Sequence, residues 1–256
     1  MRSKVALITG AARGIGNRVA SELAKSGMHV ACLDQDSGLL HKQVRDLQSN
    51  GYTAFPYEID VSDPDQVEQT IEKIERDVGP ITYLANVAGV MHMGTVDALS
   101  NDDWTHTFSV NATGVFNLCR AVSKRMIPRR EGAIVTVGSN AASTPRIGFS
   151  AYAASKAAAT MFTKCLGLEL APHNIRCNVV SPGSTETEML QSVLTGEDSV
   201  QQFIKGVPES YRLGIPLQKI AQPIEIANTV LFLLSDQASH ITMQNISVDG
   251  GATLGV

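Results

Sequence analysis

The chain has 256 residues, of which 43% are hydrophobic and 18% charged, and a formal net charge of −4. That length makes one large domain or two small ones, and allows about three quarters of the unfolded surface to be buried. The charge balance gives nucleic acid or an anionic membrane no general reason to bind, and no apolar run approaches the roughly 20 residues that span a bilayer. The start, MRSKVALITGAARGIG, turns into a glycine loop after a short apolar run, unlike a secretory signal. Cys32, Cys119, Cys165 and Cys177 have no metal-ligand or C-x-x-C spacing. They read as reduced, mostly buried thiols of a cytoplasmic protein with no bound metal.

Strands are predicted over 4–9, 29–34, 53–59, 82–86, 133–138, 176–181 and 245–248. Most are near-continuous apolar runs, as expected of strands buried on both faces. Helical patterns fill 14–26, 38–49, 64–77, 102–126, 151–170 and 223–234. Gly27, Gly51 and Gly79 follow the first three, where helix-ending glycines belong. Ser62 with Asp65 and Ser100 with Asp103 predict helix N-caps. Such alternation requires right-handed crossovers, so the expected α/β fold is a single doubly wound Rossmann domain, 1–256, around a seven-stranded parallel sheet. The stretch 186–214 has few strong apolar runs and is expected to form a small, mobile helical flap.

The segment Thr9-Gly10-Ala11-Ala12-Arg13-Gly14-Ile15-Gly16 lies between the first strand and the first helix. Gly10 permits the tight turn, Gly14 lets the backbone approach a pyrophosphate, and Gly16 lets helix and strand pack closely. The helix N-terminus then faces the anion. Asp34 ends the second strand, 18 residues after Gly16. A carboxylate there bonds ribose hydroxyls and repels a 2′-phosphate, which favours NAD over NADP. Arg13 argues the other way, since a guanidinium in this loop could hold that phosphate. Asp60-Val61 ends the third strand, where the pair either contacts adenine or simply makes a turn.

Ser139 closes the apolar run GAIVTVGS, and Tyr152 and Lys156 lie four apart in SAYAASKAAA, on one helix face. An ammonium beside a phenol can bring a proton acceptor with a free pKa of about 10 toward working pH. Ser139 can present its hydroxyl to the same substrate oxygen. The group is a device for taking a proton from an alcohol.

These residues resemble the short-chain dehydrogenase/reductase family over essentially the whole chain. The motifs are Thr9-Gly-x-x-x-Gly-x-Gly16, Asp60-Val61, Asn86-Val-Ala-Gly89, Asn111, Ser139, Tyr152-x-x-x-Lys156 and Pro182-Gly183 with Thr187. The resemblance implies an NAD-dependent oxidoreductase in which Tyr152 is the acid/base, Lys156 holds the nicotinamide ribose, Ser139 orients the substrate and Asn111 supports a proton relay. It places Asn86, Ala88 and Gly89 along the cofactor, with Pro182, Gly183, Thr185 and Thr187 at the nicotinamide end. It also implies a homotetramer built on the helices over 102–126 and 151–170 and on the C-terminal strand and tail.

Within the family, RCNVVSPGSTETEM and SDQASHITMQNISVDGGATLGV resemble the group that oxidises 2,3-dihydro-2,3-dihydroxybenzoate, a step toward catecholate siderophores. Met243 is a discriminator, because typical members carry glycine there. The implied substrate is a cyclohexadiene carboxylate with adjacent hydroxyls, for which Arg146 is the candidate carboxylate partner. Met91, His92 and Met189 are candidate pocket residues. Two other readings stand beside this one. One is an NADPH-dependent reductase such as a 3-oxoacyl-carrier-protein reductase; the other is a non-catalytic NAD(H)-binding regulator.

Overall fold

The computed structural model describes residues 4–192 and 199–255. In chain order its elements are β1 (Val5–Thr9), α1 (Gly14–Lys25), β2 (His29–Asp34), α2 (Ser37–Ser49), β3 (Ala54–Glu58), α3 (Pro64–Asp77) and β4 (Ile81–Asn86). Then come α4 (Asn101–Phe108), a π-helical turn (Ser109–Gly114), α5 (Val115–Arg129), β5 (Gly132–Val137), α6 (Ser150–Leu170) and β6 (Ile175–Pro182). The last are α7 (Glu188–Gln191), α8 (Ser199–Lys205), β7 (Gly206–Val207), β8 (Arg212–Leu213), α9 (Pro223–Leu234) and β9 (Asn245–Val248).

Seven strands form one sheet in the order β3-β2-β1-β4-β5-β6-β9, and every pairing in it is parallel. The fold is therefore the expected doubly wound one. Strand parity divides the core. Ala6 and Ile8 of β1 pack with Val19 and Leu23 of α1, Leu40 and Val44 of α2, and Val230 and Leu233 of α9. Val5 and Leu7, on the other face, pack with Val67 and Ile71 of α3, Leu118 and Val122 of α5, and Leu166 of α6. The strand order reverses between β1 and β4, so their C-terminal ends open a crevice, where ligands of such sheets bind.

Two expectations need correction and two gain detail. Asp63, not Ser62, caps α3: its carboxylate accepts from the Asp65 and Gln66 N–H groups at 2.9 and 3.1 Å, while Ser62 donates to Asp60. The helix expected over 102–126 is present as one continuous helical run, with the π turn inside it. Gly114, at the end of that turn, lies so close to the third strand's exit that a Cβ there would sit 2.6 Å from Val61 Cγ2. The cysteines are mostly buried as expected: Cys32, Cys119 and Cys177 are buried and Cys165 is exposed. The stretch 186–214 is not purely helical: α7 and α8 are followed by the antiparallel β7–β8 hairpin, and residues 193–198 of the expected flap lie outside the described residues.

Two features beyond the crevice matter later. Asp249, just after β9, accepts from Asn140 Nδ2 (3.3 Å), Thr253 Oγ1 (2.7 Å) and the Gly251 N–H (3.0 Å), which ties the tail to the turn after Ser139. Met243 has a left-handed backbone (φ 59°), and its N–H donates to the Cys177 carbonyl at 2.6 Å.

Candidate active site

A cavity of about 560 Å³ opens at the C-terminal ends of the central strands. Its dinucleotide end is made largely of backbone. Gly10, Arg13, Gly14, Ile15 and Gly16 line it, with α1 beginning at Gly14. The glycines are sterically required: a Cβ at Gly10 would lie 2.9 Å from the Ala88 backbone, and one at Gly16 2.0 Å from the Gly10 carbonyl. Gly14 has φ 53° and faces Thr187 across the cavity. The Thr9 hydroxyl accepts from the Val87 and Ala88 N–H groups at 3.0 Å each, locking the loop to the end of β4. Bare backbone beside a helix N-terminus is the cradle that a pyrophosphate needs, so the residues fit a dinucleotide.

Asp34 lines the same end, and its carboxylate accepts from the Ala12 and Asp36 N–H groups, both at 3.0 Å. Arg13 is ion-paired with Asp36, so its guanidinium is already engaged by a carboxylate. Asp60 and Val61 also line the cavity, although one Asp60 oxygen accepts from the Ser62 N–H and hydroxyl at 2.8 and 2.7 Å. Ala88, Gly89, Pro182, Gly183, Thr185 and Thr187 complete the predicted wall. Asn86 does not belong to it. Its side chain points into the core, where Nδ2 donates to Cys119 Sγ (3.2 Å) and Thr136 Oγ1 (3.4 Å).

Ser139, Tyr152 and Lys156 meet on the opposite wall. The Ser139 hydroxyl lies close enough to the Tyr152 phenol to favour its ionised form, and accepts from the Ala141 N–H at 3.1 Å. Lys156 Nζ donates to the Val137 carbonyl at 2.9 Å and lies 5.9 Å from the Tyr152 ring centroid. Burial pushes the Tyr152 phenol up from its ordinary value, and the Ser139 hydroxyl offsets part of that rise. Burial pushes the Lys156 ammonium down to about 8. In the protein alone, desolvation therefore outweighs the expected lowering of the phenol by the ammonium.

Asn111, on the π turn, is fully buried behind this wall. Its Nδ2 donates to the Val90 carbonyl (2.9 Å) and to Ser155 Oγ (3.0 Å), and its Oδ1 accepts from the Val90 N–H (2.9 Å). Ser155 in turn donates to the Tyr152 carbonyl at 2.8 Å, so Asn111 anchors the helix turn that carries Tyr152. Gly89 fits into this joint, since a Cβ there would come within 3.2 Å of both Asn111 Oδ1 and Lys156 Nζ.

Arg146, Met91 and Met189 line the remaining end. His92 is directed elsewhere: its Nδ1 bonds Thr107 Oγ1 at 3.0 Å and its Nε2 lies 3.7 Å from Asp103, so it belongs to α4 rather than to the pocket. Sequence reasoning missed Phe149, Phe203 and Arg212, all on the wall. Phe149 packs edge-on to Tyr152, with ring centroids 6.1 Å apart. Its place in the run between Ser139 and Tyr152 was the available signal for it. No such signal marks Arg212, which the β7–β8 hairpin brings in.

The short chain dehydrogenase family model matches residues 4–198. The chain is 56% identical over 256 residues to a 2,3-dihydro-2,3-dihydroxybenzoate dehydrogenase of Bacillus subtilis (strain 168), covering 100% of this chain and 98% of that protein. It is 46% identical over 248 residues to the Escherichia coli (strain K12) protein of the same name, covering 97% and 96%. Among solved structures, a gluconate 5-dehydrogenase from Burkholderia cenocepacia J2315 in complex with NADP and tartrate superimposes with a TM-score of 0.91 at 31% identity, covering 100% of this chain and 97% of that one. A glycine cradle at the strand-order switch, facing a serine, a tyrosine and a lysine across one cavity, agrees with these likenesses: the chain belongs to the short-chain dehydrogenase/reductase family.

Proposed function

We propose that the protein oxidises 2,3-dihydro-2,3-dihydroxybenzoate to 2,3-dihydroxybenzoate with NAD, supplying the catechol acid of a catecholate siderophore. The observation that carries this reading is Arg146, a cavity-wall guanidinium beside the Ser139–Tyr152–Lys156 wall of a chain whose curated relatives at 56% and 46% identity carry that name. NAD, when bound, supplies a hydride-accepting carbon. Gly10, Arg13, Gly14, Ile15, Gly16 and Asp34 hold its adenosine and pyrophosphate. Asp60, Val61, Ala88 and Gly89 flank it, and the run from Pro182 to Thr187 takes the nicotinamide end. Asp34 opposes a 2′-phosphate, and Arg13, engaged by Asp36, does not compensate.

Tyr152, as phenolate, takes the proton of the reacting hydroxyl while Ser139 donates to the same oxygen. The Lys156 ammonium stabilises that phenolate, and the Asn111–Ser155 joint holds the helix turn in place. Phe149 and Met91 give the diene ring an apolar wall, and Arg146 takes the carboxylate. The product ketone enolises to the aromatic acid, which makes the oxidation effectively one-way.

The whole chain works as one cytoplasmic catalytic domain with its flap, and assembles as a homotetramer. The outer faces of α4, α5 and α6 are suited to that contact, since they expose Trp104, Phe116, Met161 and Leu168.

The test is to mix the protein with the dihydrodiol acid and NAD or NADP, following reduced-nicotinamide absorbance and catechol fluorescence together. Turnover with NAD preferred is expected, and Tyr152→Phe should lose about 10²–10⁴-fold in kcat with NAD binding retained. No turnover, beside reduction of a 3-oxoacyl thioester with NADPH, would overturn the reading.

A further inference from the structure

Arg212 reaches the cavity from β8, although nothing in its sequence neighbourhood marks it as functional. Its guanidinium carbon lies 3.7 Å from the Phe203 ring centroid, a stacked contact that fixes the plane of the group. Nη2 donates to Ser184 Oγ at 3.2 Å, whereas Nε is buried without any hydrogen-bond partner among the described residues. The charge with the clearest influence on it is Arg146, which is also positive and lies on the same wall. Burial first, and then that repulsion, push Arg212 down to about 10. Arg146 is attracted by Asp249, but that carboxylate already serves Asn140, Thr253 and the Gly251 N–H.

Two half-buried guanidinium groups that line one cavity and repel each other are relieved when an anion lies between them. A planar carboxylate suits forked donors of this kind. We infer that Arg212 and Arg146 form a two-armed clamp for the carboxylate of the substrate, with Arg212 as a specificity-determining residue carried on the flap hairpin. The identity of that acid rests on the proposed function; the clamp itself rests on the two arginines. The clamp selects a ring acid over the same ring without a carboxylate. It also places selection on a hairpin separate from the Ser139–Tyr152–Lys156 wall, so acid recognition and proton removal are served by different elements.

The test uses the full chain with NAD and compares binding of 2,3-dihydroxybenzoate with that of catechol, its counterpart without the carboxylate, by calorimetry. The wild-type protein should prefer the acid. Arg212→Gln should weaken acid binding at least about tenfold with little change for catechol. Arg212→Lys should recover only part of the loss, because an ammonium lacks the fork. The Arg146→Gln and Arg212→Gln effects should be non-additive in the double variant. In turnover the loss should appear in KM for the dihydrodiol acid more than in kcat, a split that a purely structural arginine would not give. NAD affinity and melting temperature serve as the check that each variant is folded. Unchanged acid affinity in a folded Arg212→Gln protein, or no wild-type preference for the acid, overturns the clamp. Turnover of the dihydrodiol by the wild-type protein reports on the parent proposal separately, so either can fail alone.

Discussion

The two ends of the cavity are built in opposite ways. The dinucleotide end is backbone: three glycines within one short loop, each excluding a side chain, and a threonine hydroxyl holding the two amides that follow β4. The far end is side chain: Arg146 and Phe149 from the segment before α6, Met189 from α7, Phe203 from α8 and Arg212 from β8. A pyrophosphate is the same in every dinucleotide, and a fixed backbone cradle serves it. An individual substrate needs adjustable chemistry, which exchangeable side chains on loops and short elements supply.

If that contrast is right, the cradle should tolerate least. Gly16→Ala puts a Cβ 2.0 Å from the Gly10 carbonyl within the same turn, with no flexible atom to yield. We expect a loss of stability of about 1–3 kcal/mol or more, with NAD binding lost in any folded fraction. Denaturation and NAD titration together check this, and near-normal NAD affinity would contradict the steric account.

Lys156 stands where the two ends meet, and replacing it separates function from stability. Its folded pKa of about 8 lies below the ordinary lysine value of 10.5. The unfolded chain therefore holds more protons between those values, and wild-type stability should rise with pH through that window. Below about pH 8 the full penalty for the buried charge is present, of order 3 kcal/mol. Lys156→Met should be inactive, more stable than wild type at neutral pH by about 1–3 kcal/mol, and flatter in stability from pH 8 to 10.5. Urea denaturation across that range measures the difference, and a variant less stable than wild type at pH 7 would count against it.

The smallest effect is expected at the adjustable end. Met91→Leu roughly conserves volume on an apolar wall and should change stability by less than about 1.5 kcal/mol. It should shift KM for the dihydrodiol within about tenfold and leave NAD affinity unchanged. An equal loss for both ligands would mean that the two ends are not separable there.

The sheet was legible because its strands are apolar on both faces and its helices end on glycines; β2 and β9 begin and end where the apolar pattern puts them. The glycine loop and the Tyr152–Lys156 spacing were legible for the same reason, since each depends on neighbours a few residues away. What escaped depends on residues distant in sequence. Asn86 turns inward because Cys119 and Thr136 receive it, and His92 turns to Thr107. The π turn ends at Gly114, which packs against Val61 more than 50 residues away. Arg212 arrives on a two-residue strand made possible by the positive φ of Gly206 and the close passage of Gly214. No period or cap signal describes any of these.

Met243 has a consequence for how this chain can change over generations. A non-glycine residue in the left-handed region costs of order 1 kcal/mol, and here the strained residue also fills space. A Cβ at Gly167 on α6 would come 2.8 Å from Met243 Cγ, so methionine at one position holds the other to glycine. Substitutions at the two sites are therefore ordered in time. Position 167 gains room on the Met243 side only after position 243 has become smaller, with Cys177 Cβ still 3.3 Å from any Cβ there, while the reverse order passes through an overfilled joint on the helix that carries Tyr152 and Lys156. A local fit at the rear of the molecule thus sets the direction in which lineages can drift.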